Sequence, residues 1–316
     1  MNVLVAGGAG FIGSHIADTF VNHGHRVVIL DGLMPETGGS FANIPHHQSL
    51  QFHHHRVEEC PNLGELLDNA DLTIDCMGWT RHLLAIRNPL YDLELNVASH
   101  LSLVKAMSGS RCRNLIYLGS RGQYGNVTVP VITEDQPQLP ADVQGIHKTA
   151  AESHMRIFSK LAQLNVVSLR FSNSYGERQP MTGGDIGLFG SFLRDILNGR
   201  PIELYGRGRM RNFLYAPDLA NVIHSLATRG WSGFEAFNIP GSYVEIEYLI
   251  ATMIRAAGKG RYTIKDFPEE IRAIDVGNAS LSGEKLAGHI GNHVITDLQT
   301  SVDHVVRSIA HPLPRP

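Results

Sequence analysis

Short apolar runs alternate along the chain with longer stretches in which apolar side chains recur every three to four positions. This is the rhythm of strands separated by helices that bury one face. The runs Asn2–Ala6, Arg26–Asp31, Asp71–Cys76, Asn114–Gly119 and Asn165–Phe171 predict strands, and Phe11–Gly24, Pro89–Met107 and Val143–Leu164 predict helices. Strands so uniformly apolar are covered on both faces, as in a parallel sheet built from βαβ units. After Phe171, loops with glycine and proline separate helical stretches near Gly187–Asn198, Pro217–Thr228 and Ile246–Ala257, so a second lobe is expected there. Glu235–Ile239 has the pattern of a strand able to return to the first sheet.

Composition narrows the class. The 316 residues are 43% hydrophobic and 18% charged, which excludes disordered, collagenous and coiled-coil chains. With 27 Lys+Arg against 30 Asp+Glu the net charge is −3. That balance carries no footprint of nucleic-acid or anionic-membrane binding, while leaving room for a small phosphate pocket. Three scattered cysteines, Cys60, Cys76 and Cys112, offer neither a disulfide framework nor a CxxC zinc site. Met1 leads straight into a strand pattern without a basic n-region, and no apolar run approaches the roughly 20 residues that span a bilayer. A cytoplasmic protein is therefore expected.

Gly7-Gly8-Ala9-Gly10-Phe11-Ile12-Gly13 follows the first strand and opens the first helix. Gly7 permits the tight turn, Gly10 lets the backbone approach a pyrophosphate, and Gly13 lets the helix lie close on the strand while its N-terminal N–H groups face the anion. The spacing is G-x-x-G-x-x-G, a weak signal alone, but strand, turn and helix stand in the order a dinucleotide needs. Asp31 follows Gly13 by 18 residues, near the distance expected of a carboxylate that holds the adenosine ribose diol and repels a 2′-phosphate. NAD is thus favoured over NADP.

The chain resembles the extended short-chain dehydrogenase/reductases, specifically the nucleotide-sugar epimerase/dehydratase branch. The likeness covers nearly the whole sequence. It rests on the glycine loop, on Asn96-Val97 after Asn88-Pro89, on Gly119-Ser120-Arg121-Gly122-Gln123-Tyr124-Gly125, on Gly145-Ile146-His147-Lys148, on Arg170-Phe171-Ser172-Asn173-Ser174-Tyr175-Gly176 and on Tyr205 through Phe213. The resemblance implies a Rossmann-type doubly wound parallel sheet with a smaller C-terminal substrate-binding lobe. Residues 1–171 with roughly 213–240 are then the NAD-binding domain, and 172–212 with 241–316 the nucleotide-sugar-binding lobe. It implies cofactor contacts from Gly7, Gly10, Phe11, Ile12, Gly13, Asp31, Asn96 and Lys148, and substrate contacts from Asn173, Arg211 and Arg272. It also implies a homodimer packed through the Pro89–Met107 and Val143–Leu164 helices.

In such enzymes a tyrosine deprotonates a sugar hydroxyl, a lysine four residues later lowers its pKa and holds the nicotinamide ribose, and a serine or threonine bonds the reacting oxygen. Ser120 and Lys148 match the latter two, but Gln144 stands at the tyrosine position. Residues 144 and 148 share a helix face, so the arrangement keeps its frame and loses its acid–base group. An amide takes up no proton near neutral pH. Where dehydratases of the branch carry an Asp-Glu pair, this chain has Arg121-Gly122. Candidates to replace the missing base are His147, Tyr124, Arg81 and His82, although His147 more often faces solvent or a neighbouring helix and the resemblance implies that Tyr124 packs in the core. The resemblance therefore predicts a 4-epimerase-type enzyme with an atypical site, or alternatively a silent NAD- and nucleotide-sugar-binding protein. The histidines around His53 and His55 fit a solvated strand edge better than a metal site.

Overall fold

The computed structural model describes residues 1–182, 186–266 and 277–310. Seven parallel strands form one sheet, in the spatial order Phe234–Ile239, Asn165–Phe171, Asn114–Leu118, Leu72–Asp75, Asn2–Ala6, Arg26–Leu30, Leu50–His53. Successive strand residues serve opposite faces. Val3 and Val5 pack with Ile16, Phe20 and Ile223 from the helices Phe11–Asn22 and Ala216–Arg229. Leu4 and Ala6 pack with Leu103, Met107 and Met155 from Ser99–Ser108 and Val143–Leu161 on the other side. The chain builds outward from Asn2–Ala6 in one direction and then returns to build in the other. The two neighbouring strands Asn2–Ala6 and Leu72–Asp75 therefore send their following segments apart, opening a crevice at their carboxyl ends.

Two expectations shift in detail. The strands stop one residue short of Asp31, Cys76 and Gly119, which leave the sheet at its carboxyl edge and turn toward the crevice. The stretch Pro89–Met107 is not one regular helix. It runs as Pro89–Leu93, a π segment Glu94–Ala98, and Ser99–Ser108. Leu50–His53 forms the edge strand, its Leu50 and Phe52 packed on the core, with His53 at its end.

The segment Phe234–Ile239 does join the large sheet beside Asn165–Phe171. Beyond it a three-stranded sheet (Ser242–Glu245, Met210–Tyr215, Ser174–Tyr175) and the pair Tyr262–Lys265 with Ile202–Tyr205 stand apart. The helices Gly187–Leu197, Ile246–Ala257 and Leu298–Ala310 share a separate core there, around Phe189, Leu193, Leu249, Met253 and Val302.

Candidate active site

A cavity of about 450 Å³ fills the crevice. At one end Gly7 adopts φ +78°, and a Cβ there would meet the Cys76–Met77 peptide at 2.8 Å. A Cβ on Gly13 would stand 2.3 Å from the Gly7 carbonyl oxygen, so helix and loop touch backbone to backbone. Gly10 caps the helix Phe11–Asn22 without a side chain, and Phe11 and Ile12 lie in the cavity wall. The first N–H groups of a helix have no partner within it and favour an anion.

Asp31 lies in the same wall, accepting from Ala9 N–H at 2.9 Å and Leu33 N–H at 2.8 Å. Burial raises its pKa, and the two amide bonds oppose that rise. Each carboxylate oxygen keeps a second lone pair for a diol hydroxyl. A glycine cradle shaped by backbone contact, helix N–H groups and a diol acceptor together fit NAD.

At the other end Ser120, Gln144 and Lys148 meet in the wall. Asp142 starts the helix Val143–Leu161 by accepting from Gly145 N–H at 2.7 Å. Lys148 donates to the carbonyls of Leu118 at 3.1 Å and Met77 at 3.4 Å and lies over the Tyr117 ring. Burial lowers its pKa, with Asp75, Asp92 and Cys76 opposing. Gln144 donates to the Trp79 carbonyl at 2.7 Å. The Ser120 hydroxyl accepts from Gly122 N–H at 3.0 Å, and its own N–H donates to Gln123 at 2.7 Å.

Glu152, one further turn along the face that carries 144 and 148, anchors the group from behind. It accepts from Gln123 at 2.8 Å, Gln138 at 2.7 Å, Ser168 at 2.7 Å and Arg170 at 3.0 Å. Burial acts to raise its pKa, but Arg170, Ser168 and Gln123 outweigh it and bring the carboxyl down to about 2. This network was missed in the sequence. The i, i+4, i+8 spacing of Gln144, Lys148 and Glu152 was the signal available.

The remaining candidates divide. Asn173, at φ +24°, donates to the Ser172 hydroxyl at 2.7 Å and to the Asn212 carbonyl at 3.0 Å. Arg211, buried in the wall, donates to the carbonyls of Met210 at 2.8 Å and Gly277 at 2.9 Å. Both line the cavity, whereas Arg272 lies outside the described residues. Asn96 stands behind the wall: its amide bonds the Trp79 N–H and carbonyl and Asp92. His147 bonds Asp92, turned from the cavity. Tyr124 is fully buried, donating to Asn238 at 2.7 Å and accepting from Arg170 at 2.7 Å. Neither His147 nor Tyr124 reaches the cavity wall. Arg81 and His82 do, and the His82 Nδ1 lies 2.7 Å from Asp142. Among the described residues no cluster of His, Cys, Asp or Glu forms a metal site, and no helix is long and apolar enough to cross a membrane.

Sheet order, crevice and glycine cradle define a dinucleotide-binding α/β protein of the doubly wound class. The chain belongs to the NAD-dependent epimerase/dehydratase family, whose sequence profile matches residues 3–239. A putative UDP-glucose 4-epimerase of Methanocaldococcus jannaschii is 28% identical over 273 residues, 85% of this chain and 86% of that protein. The structure of UDP-N-acetylglucosamine 4-epimerase from Methanobrevibacter ruminantium M1, in complex with UDP-N-acetylmuramic acid, superposes with TM-score 0.89 at 22% identity, covering 99% of each chain. The dTDP-glucose 4,6-dehydratase DesIV of Streptomyces venezuelae, with NAD and TYD bound, gives 0.87 at 22% identity, covering 99% of this chain and 98% of that one. The fold is thus shared by epimerases and dehydratases alike.

Proposed function

We propose that the protein is an NAD-dependent nucleotide-sugar enzyme of the 4-epimerase type, with an atypical acid–base group. The observation that carries this reading is the convergence of Ser120 and Lys148 on one end of the cavity, with Gln144 one turn before Lys148 on the same helix face. When bound, NAD supplies a hydride acceptor that also returns the hydride. The chain's part is to hold and orient. Asp31 takes the adenosine diol, the first turn of Phe11–Asn22 the pyrophosphate, and Lys148 the nicotinamide ribose through its ammonium donors. Ser120 offers its hydroxyl to the reacting sugar oxygen, and Asn173 and Arg211 hold the sugar diphosphate from the second lobe. Residues 1–171 with about 213–240 form the cofactor unit in this reading, and the rest holds the sugar nucleotide.

Arg121-Gly122 sets a guanidinium and no side chain where a dehydratase needs two carboxyl groups, which favours epimerisation over loss of water. Incubation with UDP-, dTDP-, CDP- and GDP-sugars, followed by NMR at C4, is expected to show inversion. Binding without conversion of any of them supports instead a silent binding protein, the reading favoured by Gln144 being spent on the Trp79 carbonyl. We also propose a homodimer through the helices near 89–108 and 143–161, whose outer faces expose Leu90, Leu93, Ile146, Ile157 and Leu161. Light scattering at 34.7 kDa, the mass of one chain, contradicts it. The three unpaired cysteines agree with a reducing compartment.

A further inference from the structure

Two fully buried titratable side chains take no part in the reading above. Asp75 ends the strand Leu72–Asp75 and His100 lies in the first turn of Ser99–Ser108, with the His100 Nδ1 2.7 Å from Asp75 Oδ2. Both stand against the surroundings of Lys148. Asp75 Oδ1 accepts from the Met77 N–H at 3.2 Å, while Lys148 Nζ donates to the carbonyl of that same residue at 3.4 Å. The Tyr117 ring is shared, with Lys148 Nζ 5.1 Å from its centroid and the His100 ring meeting it edge-on at 5.1 Å. Gly78, at φ +147°, leaves room for the ammonium: a Cβ there would stand 3.1 Å from Lys148 Nζ.

Burial lowers the Lys148 pKa, and Asp75 is the largest of the charges that oppose it, ahead of Asp92. Asp92 is engaged by His147 at 2.5 Å and by Asn96 at 2.9 Å. Cys76 and Tyr117, the other titratable groups around Lys148, are kept protonated at neutral pH by burial. The His100 Nε2 has no partner among the described residues. The tautomer with its proton on Nδ1 therefore strands no buried N–H, and it leaves the carboxylate charge of Asp75 uncancelled.

We propose that Asp75, fixed by His100, is the counter-charge that keeps Lys148 an ammonium in the cavity wall. A buried cation without such a partner sheds its proton instead of its burial. Asp75 is a positioning residue: it acts through Lys148, and it also sets the Met77 peptide whose carbonyl Lys148 binds. What the charge does for the cofactor rests on the reading of Lys148 as the nicotinamide-ribose ligand, whereas the charge itself does not.

The test uses the full chain, stripped of dinucleotide, with its lysines carbon-13-labelled at Cε. Wild type, Asp75→Asn, Asp75→Ser and Asp92→Asn are titrated by NMR, and the resonance missing from Lys148→Met identifies Lys148. NAD affinity is measured by calorimetry across the same pH range. Lys148 of the wild type is expected to titrate above about pH 8, and Asp75→Asn, which keeps the shape and removes the charge, to lower that midpoint by about one unit. Asp92→Asn is expected to lower it by less. NAD affinity in Asp75→Asn is expected to match wild type within threefold at pH 6 and to fall about tenfold as pH rises through the lowered midpoint, because the neutral amine has lost its charge-assisted bonds. A wild-type midpoint below about pH 8 overturns the proposal even where neither Asp75 variant folds. So does a shift under about half a unit in both Asp75 variants, or a larger shift in Asp92→Asn, which hands the role to Asp92. An NAD affinity lowered equally at every pH, with the Lys148 midpoint unmoved, makes Asp75 a merely structural support and overturns it too. A lowered midpoint with NAD binding unchanged at every pH upholds the counter-charge and removes Lys148 from the cofactor site. A wild type that binds no NAD removes the reading and leaves the counter-charge standing on the titration.

Discussion

The two ends of the cavity follow different rules. At the cofactor end each residue is constrained by contact: Gly7 and Gly13 sit where a Cβ has no room, and Asp31 is fixed by two backbone N–H groups. At the chemical end Lys148 is set by two backbone carbonyls, whereas Gln144 is held through its side-chain amide on the Trp79 carbonyl. Binding is thus built into the main chain, while the proton-transfer group is a replaceable side chain. Such a division allows relatives of one fold to keep a cofactor and differ in reaction.

The comparison breaks most severely if its common support is removed. Glu152→Ala strands Arg170 as a buried charge, and loss of one partner of a buried pair costs about 3–5 kcal/mol. Denaturant unfolding is expected to show that loss in stability, and a change under 1 kcal/mol would mean that the network supports little. Acid sharpens the same point. With the carboxyl at about 2 when folded and an ordinary 4.5 when unfolded, Glu152 stabilises the fold above about pH 4.5. That contribution drains away as pH falls toward 2. Glu152→Gln is expected to flatten this limb of the stability curve.

Next in size is the cofactor end. Gly13→Ala places a methyl 2.3 Å from the Gly7 carbonyl oxygen, so helix and loop must part. NAD affinity is expected to fall about 100-fold, the order of the few kcal/mol that overpacking costs. Retention of tight NAD binding by this variant contradicts the contact rule. Lys148→Ala is expected to weaken NAD about tenfold, with residue 144 unchanged.

Smallest, and most specific to the chemical end, is a rescue. Gln144→Tyr in the wild-type background sets a phenol one turn from Lys148, on the cavity wall that also carries Ser120. The nearby ammonium favours the phenolate, and kcat is expected to rise at least tenfold over wild type. No rise means that Lys148 and Ser120 do not hold the geometry assigned to them.

The glycine loop, Asp31 and the Ser120/Gln144/Lys148 set were legible because each depends on local spacing on one strand, turn or helix. Asn96 was legible as a residue but not in its direction. The π segment Glu94–Ala98 re-registers the helix, and Asn96 turns to the Trp79 backbone while donating to Asp92. Nothing in a periodic apolar pattern records that change. The pairing of His82 with Asp142 joins residues sixty apart, and the edge strand Leu50–His53 offers only two apolar residues, Leu50 and Phe52, to the core.

The helix Val143–Leu161 separates what it stands on from what it does. Its anchor at Glu152 lies eight residues from position 144, about 12 Å along the axis. A change at the cavity-facing position 144 therefore leaves the root untouched. A helix built this way can carry different residues at its first turn while its hold on the sheet stays the same.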